Sequence, residues 1–283
     1  MFSFFSRKKT DPKTNLRKVL GDYELPSFPG AITETLQRIR DPESSAHSIA
    51  DTLAVDPGLS VRVLRAANSA AFSPSKRVEN LTQAVALVGL SQLESLVLSV
   101  AVSNAIPRRA APGYNFTRFW RAAARRGVVA RSLANILCPA KASESFTAGL
   151  LQDMAIPFLA HLKPDVYGPI LERWHKEDGR LPDLEREALD WDHAEVATWI
   201  CADWTLPENI ASAIGGHHDP QSKDYICPAP VSLVSLIHEE EQNLGVDGLI
   251  EAAHSQHGLS PEQVKDIVES SFEDAEELAR LMT

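Results

Sequence analysis

A chain of 283 residues with 44% hydrophobic and 23% charged residues has the balance of a soluble globular protein, and is long enough for one large domain or two modest ones. Its longest apolar runs, AVALVGL and LVLSVAV, fall well short of the roughly 20 residues that span a bilayer. A formal net charge of −10 excludes the basic footprint of a nucleic-acid binder. The charge is uneven: residues 239–283 carry twelve acidic residues against Lys265 and Arg280, and the rest balances 26 against 26. That acidic segment is expected to present a solvated helical face, with docking to a basic partner as the other reading. Cys138, Cys201 and Cys227 are odd in number, widely spaced and without a CxxC pair. They suggest neither a disulfide framework nor a zinc knuckle and fit a reducing cytoplasm.

Residues 1–15 read as a flexible tail. MFSFFSRKKTD puts its charge behind a short aromatic run, the reverse of a secretory signal. Phe2, Phe4 and Phe5 beside Arg7, Lys8 and Lys9 are read as a frayed end, with weak contact to a membrane surface as the alternative. Beyond the tail almost every segment reads as helix. Asp56-Pro57 is an N-cap with proline at the first helical position, and Leu59, Val63, Ala66 and Ala70 then form an amphipathic stripe. Ser91-Gln92-Leu93-Glu94 reads as a capping box opening a helix through Val102. Leu206-Pro207-Glu208 starts a short helix that stops at Gly215-Gly216. Ser260-Pro261-Glu262-Gln263 is a second capping box, opening the last helix. The expected fold is all-α, built of many short helices in two closely packed lobes. The cluster of Pro, Gly and charge in IPRRAAPGYN (106–115) divides an upstream lobe, 16–105, from a downstream lobe, 116–240. An acidic helical extension, 241–283, comes last.

The upstream lobe contains LPSFP (25–29), AVDPGLSVRVLRAANSAAF (54–72) and LTQAVALVGL (81–90). FW (119–120), AGLLQD (148–153), DHAEVATWICADWTLP (192–207) and IGGHH (214–218) come after them in that order. This combination resembles the HDOD domain, the HD-related output domain of bacterial signalling proteins, over residues 16–240. The resemblance implies an all-helical fold related to HD-superfamily metal phosphohydrolases, acting as a signalling or interaction module. On the residues themselves, Asn68 near a helix end reads as a partner for free backbone groups. Trp120, Trp174, Trp191, Trp199 and Trp204 read as core or lobe-interface anchors.

By the same resemblance, an HD-type centre collects a histidine from one helix, a His-Asp pair from the next and a later aspartate. The first position falls near Ala122, inside RAAARR, where there is no histidine. The pair is Gln152-Asp153, and the late aspartate falls near His238. Asp153 alone keeps the expected type. A glutamine amide is a weak transition-metal ligand, and one carboxylate with one amide falls short of the three protein ligands normal for catalytic zinc. The expectation is therefore a vestigial site, with no metal, no cofactor and no catalytic residue.

A second constellation is open to two readings. His193, His217, His218 and Asp219 share the downstream lobe with Asp153. They form either a metal or phosphate site or a hydrogen-bonded polar cluster tying helices together, with Asp153 accepting from a histidine. On a regular helix His217 and His218 point different ways, although the preceding glycine pair allows an irregular backbone. Arg118, Arg121, Arg125 and Arg126 lie on the helix that opens with FTRFW, and Arg118 and Arg126 flank Ala122 one turn away on either side. They read as a solvated basic face or as partners of the acidic tail, with a phosphate-binding rim as the alternative.

The resulting expectation is a cytoplasmic, non-enzymatic signalling module that binds other signalling proteins, not nucleic acid, and has no integral membrane segment. One alternative is a metal-dependent phosphohydrolase or cyclic-dinucleotide phosphodiesterase using Asp153, His193 and His217 or His218. Another is a nucleotide sensor using the arginine rim. No receiver-like or GGDEF-like segment occurs in the sequence, so the input signal is expected from elsewhere.

Overall fold

The computed structural model describes residues 11–68, 77–108, 112–176, 179–239 and 244–283. Among them the chain is all-α apart from one two-residue antiparallel pair. Before the 106–115 stretch come α1 (Pro12–Leu20), which packs on the later helix His193–Asp203, α2 (Gly30–Arg40), α3 (Ala46–Ala54), α4 (Pro57–Asn68), α5 (Leu81–Val88) and α6 (Leu90–Ala105). After it the chain forms the long α7 (Phe116–Leu137), α8 (Ala142–Leu151) and α9 (Ala155–Leu162). It continues through α10 (Pro164–His175), α11 (Leu181–Leu189), α12 (His193–Asp203), α13 (Glu208–Gly215) and α14 (Ala229–Val234). The strands β1 (His238–Glu239) and β2 (Leu244–Gly245) lead into α15 (Asp247–His257), α16 (Pro261–Ser270) and α17 (Phe272–Met282). No single helix among the described residues is long and apolar enough to cross a membrane.

Several local signals act as the sequence predicts. The Asp56 carboxylate accepts from Leu59 N–H at 3.0 Å to open α4, and Leu59, Val63 and Ala66 are buried; Ala70 lies outside the described residues. Asn68 is a structural clamp: its amide donates to the Leu64 and Val78 carbonyls at 2.9 and 2.8 Å and accepts from Val78 N–H at 2.8 Å. Both halves of the Ser260/Gln263 capping box form. The helix they open ends at Ser270, however, and α17 is a separate helix. The Ser91/Glu94 box does not form. Gly89, at φ +83°, turns the chain so that α6 begins at Leu90 and Ser91 already lies inside it. Helix α1 begins at Pro12, capped by Asp11, so helix reaches into the stretch read as tail; residues 1–10 lie outside the described residues.

The acidic extension presents the expected solvated face, with Glu262, Asp266, Glu269, Glu273 and Glu277 exposed, and buries the opposite one. Leu278, Ala279 and Met282 of α17 are buried in the main core, and α17 packs on α7, α4 and α6, helices from both sides of the 106–115 stretch. The basic partner of the acidic face is the chain's own α7. Arg121 pairs with Glu276 at 3.0 Å, and the Arg125 guanidinium lies 5.3 Å from the Phe272 ring centroid. Trp120 and Trp204 are buried, and Trp204 Nε1 donates to the Pro26 carbonyl at 3.1 Å, fastening LPSFP to the downstream lobe. Trp174, Trp191 and Trp199 are half-buried against the same core.

Helices α7 and α8 cross at two glycines. A Cβ on Gly149 would lie 3.0 Å from Ala130 Cβ and 3.1 Å from the Arg126 carbonyl; one on Gly127 would lie 3.1 Å from Leu150 Cβ. The absent side chains let the backbones close in, which brings Arg126 within reach of Asp153. Gly149→Ala is expected to cost about 1–3 kcal/mol by overpacking, read as a lowered urea midpoint. An unchanged midpoint would show that the crossing yields freely.

Candidate metal centre

Four side chains from three turns meet at one point. Asp153 lies in the turn between α8 and α9, just past the last residue of α8. His193 is the first residue of α12, whose start is fixed by a capping box of Asp192 and Glu195; Arg186 pairs with Asp192 at 2.7 Å. His217 and His218 come after α13 in a tight turn. A Cβ on Gly215 would lie 2.6 Å from Tyr225 and 2.7 Å from Thr198, and one on Gly216 2.9 Å from Cys227 Cβ. The glycine pair lets the chain leave the helix under these neighbours. Off the helix, the adjacent histidines turn to the same side, with ring centroids 3.8 Å apart. The helical objection to using both therefore does not apply. One donor atom from each of Asp153, His193, His217 and His218 lies within 4.8 Å of the others.

The hydrogen bonds of the two buried histidines fix which nitrogen faces inward. His217 Nδ1 lies 2.6 Å from the Ile214 carbonyl, which can only accept, so Nδ1 carries the proton and donates. His217 Nε2 is buried without a hydrogen-bond partner and faces Asp153 Oδ1 at 3.5 Å. His193 Nδ1 donates to the Glu185 carboxylate at 2.7 Å, which turns His193 Nε2 toward Asp153 Oδ1 at 3.4 Å and His218 Nε2 at 2.9 Å. Ring N–H groups tied to a carbonyl and a carboxylate, with the opposite nitrogens converging on a carboxylate oxygen, is the arrangement that orients histidines around a metal. The donor set, three imidazoles and one carboxylate, suits zinc, iron or manganese. The residues present fit a single divalent cation.

The electrostatics are those of a tightly coupled buried group. Burial alone pushes the Asp153 carboxyl up, but Arg126 beside it, aided by His193 and His217, holds it well below the usual range. Burial pushes His193 down, yet Glu185 and Asp153 keep it well above an ordinary histidine. Burial and its neighbouring histidines push His218 well below the usual value, which favours a neutral ring, and its Nε2 lies 2.9 Å from His193 Nε2.

The remaining predicted residues divide. Asp219 is exposed and stands outside the cluster. Gln152 is buried with its amide oxygen unpartnered. His238 begins β1, and its side chain lies outside the described residues. Arg118 lines the adjacent cavity. Arg126 lines the same cavity, but from a buried position: it is 7% exposed, paired with Asp153 and donating to the Ile237 carbonyl at 3.0 Å. A cavity of about 1180 Å³ opens onto the cluster, walled by Tyr114, Arg118, Phe119, Trp174 and Arg180.

Sequence reasoning missed Glu185 and Tyr167. Glu185 is fully buried and accepts from Tyr167 O–H, from His193 N–H at 2.9 Å and from His193 Nδ1. Its signal was present in LPDLEREAL: Leu181, Leu184 and Glu185 occupy the same buried face of α11, so an acid sits where a core residue belongs.

Comparison with known proteins agrees with this architecture. The model of the HDOD domain matches residues 25–220. An uncharacterised protein of Treponema pallidum (strain Nichols) is 25% identical over 197 residues, which is 69% of this chain and 38% of that protein; the chain thus spans well under half the length of this relative. Among solved structures, a protein provisionally named a phosphohydrolase from Shewanella amazonensis SB2B superposes with TM-score 0.75 at 21% identity, covering 96% of this chain and 98% of that one. An HDOD domain protein of unknown function from Geobacter sulfurreducens gives TM-score 0.71 at 20% identity, covering 95% and 96%. A protein provisionally named for signal transduction, from Marinobacter aquaeolei VT8, gives TM-score 0.71 at 18% identity, covering 96% and 65%. These likenesses show the fold, and the family match spans more than half of the sequence: the chain belongs to the HDOD domain family.

Proposed function

We propose that the chain is a cytoplasmic signal-transduction module that holds one divalent cation at Asp153, His193, His217 and His218 and acts by binding partners, not by turnover. The observation that carries the metal reading is the convergence of His193 Nε2 and the unpartnered His217 Nε2 on Asp153 Oδ1, with both Nδ1 atoms committed elsewhere. It departs from the expectation of no metal, drawn from the positions near Ala122, Gln152 and His238 and from reading the histidine cluster as a hydrogen-bonded tie between helices. Binding without turnover is favoured because four protein donors fill a tetrahedral shell, whereas hydrolytic zinc sites keep a position open for water. Binding of signalling proteins accords with the family's reading as an output module, and three free thiols suit a reducing compartment.

A second reading, a metal-dependent phosphodiesterase, is favoured by the cavity, in which Arg118 and Arg180 line a space open to the same cluster. A cation bound there supplies fixed positive charge for a phosphate group. The chain's residues contribute orientation: Glu185 and Ile214 hold the two rings, and Arg126 holds the carboxylate. Metal analysis of the purified protein is expected to find about one zinc, iron or manganese ion per chain, lost in His217→Ala. Absence of metal after incubation with each ion refutes the metal reading. Metal-dependent hydrolysis of bis(p-nitrophenyl) phosphate, abolished by His217→Ala, replaces the first reading with the second.

A further inference from the structure

The two oxygens of Asp153 serve different sides. Oδ1 faces the Nε2 atoms of His193 and His217. Oδ2 faces the guanidinium of Arg126, whose second Nη donates to the Ile237 carbonyl at 3.0 Å. Arg126 Nε is buried without a partner. The arginine therefore carries an uncompensated donor into the interior, and its defined contacts there are an anion and a carbonyl oxygen. A carboxylate oxygen and a backbone carbonyl are also what a hard cation takes as ligands.

Three stretches of chain meet at this guanidinium: α7, the turn at 152–153, and the segment entering β1. They also carry Ala122, Gln152 and His238. Arg126 stands one turn beyond Ala122 on the same helix. A guanidinium keeps its charge at every accessible pH and needs no filled coordination shell.

We infer that the Arg126 guanidinium is a resident cation beyond Asp153 Oδ2, and that it restricts the centre to a single metal ion on the histidine side. It occupies the second carboxylate oxygen and repels another cation at close range. In this role Arg126 is a positioning residue: it turns Oδ1 toward the histidines and supplies the positive charge that a second ion would bring. The inference rests on the metal reading of the histidine side.

The test is metal stoichiometry, measured after stripping the protein with chelator, reloading with Mn²⁺ and removing free ion by gel filtration. Wild type is expected to hold about one ion per chain. Arg126→Lys keeps a fixed charge and is expected to hold about one as well. Arg126→Glu exchanges that charge for a carboxylate beside Asp153 Oδ2 and the Ile237 carbonyl, and is expected to hold about two. Arg126→His carries the same expectation and decides the matter if Arg126→Glu does not fold. Zero ions in wild type overturns the metal reading itself. One ion in wild type and still one in the folded glutamate or histidine variant overturns the inference about Arg126, as do two ions in wild type or in Arg126→Lys. Failure of both Arg126→Glu and Arg126→His to fold with Mn²⁺ present also overturns it, because an ion then does not stand in for the guanidinium.

Discussion

Asp153→Ala is expected to destabilise the metal-free protein by about 3–5 kcal/mol, the usual cost of stripping one partner from a buried ion pair. The reason is the group left behind. Arg126 is 7% exposed and would keep only its bond to the Ile237 carbonyl, with its charge uncompensated. His193, held well above the ordinary range by Glu185 and Asp153, would lose one of those two carboxylates. Asp153→Asn keeps the shape and one acceptor oxygen, so it is expected to cost less than the alanine variant while still losing the charge that both Arg126 and a metal require. Urea unfolding in chelator reads the first effect, and metal content reads the second. A loss under about 1 kcal/mol in Asp153→Ala would mean that the Arg126 pair contributes nothing to the fold.

Glu185→Gln is expected to weaken metal binding by about 10–100-fold, although Glu185 is not itself a proposed ligand. The carboxylate accepts three hydrogen bonds, from Tyr167 O–H, His193 N–H and His193 Nδ1–H. A glutamine has one acceptor oxygen and one NH₂ group, so either the NH₂ faces both His193 donors or it faces Tyr167, whose hydroxyl must then turn to accept, and in either case His193 Nδ1–H loses its charged acceptor. The ring of His193 is then free to turn or to move its proton to Nε2, the nitrogen that faces Asp153. The buried mismatch is also expected to cost about 1–3 kcal/mol. Competition with a chromophoric chelator measures the affinity, and circular dichroism melts measure the stability. Unchanged affinity in the folded variant would show that the Glu185–His193 bond serves packing alone.

The helical architecture was legible because it is written in local, short-range signals. The Asp56-Pro57 start, the glycine stop at 215–216 and the Ser260 capping box each depend on residues a turn apart, and each forms. Ser91-x-x-Glu94 carries an equally local signal and fails, because Gly89 at φ +83° starts the helix earlier. The acidic extension was legible in its charge, a solvated acid face with the arginines of α7 as partners, and Arg121 does pair with Glu276. Counting charge on residues 239–283 does not reveal that its apolar face packs into the main core. Glu185 was readable in principle, as an acid on the leucine face of α11, but its role depends on His193 and Tyr167, 8 and 18 residues away.

The sequence by itself determined the all-α class, the family resemblance and the membership of the histidine set. These depend on residue types, their order and their spacing along the chain. It also showed that donors near Ala122 and at Gln152 are missing. Only the tertiary structure decided the consequence of that loss. Whether a carboxylate and three imidazoles share a point depends on how α8, α12 and α13 end against one another. Gly149 sets part of that packing, and the Gly215-Gly216 turn sets another part. The direction of a lone pair depends on the partner of the opposite ring nitrogen, which is Glu185 for His193 and the Ile214 carbonyl for His217. The placement of Arg126 is of the same kind. Helical spacing sets it beside Ala122 as a rim residue, but the close crossing of α7 and α8 turns it inward onto Asp153, because a buried carboxylate requires a charge to neutralise it.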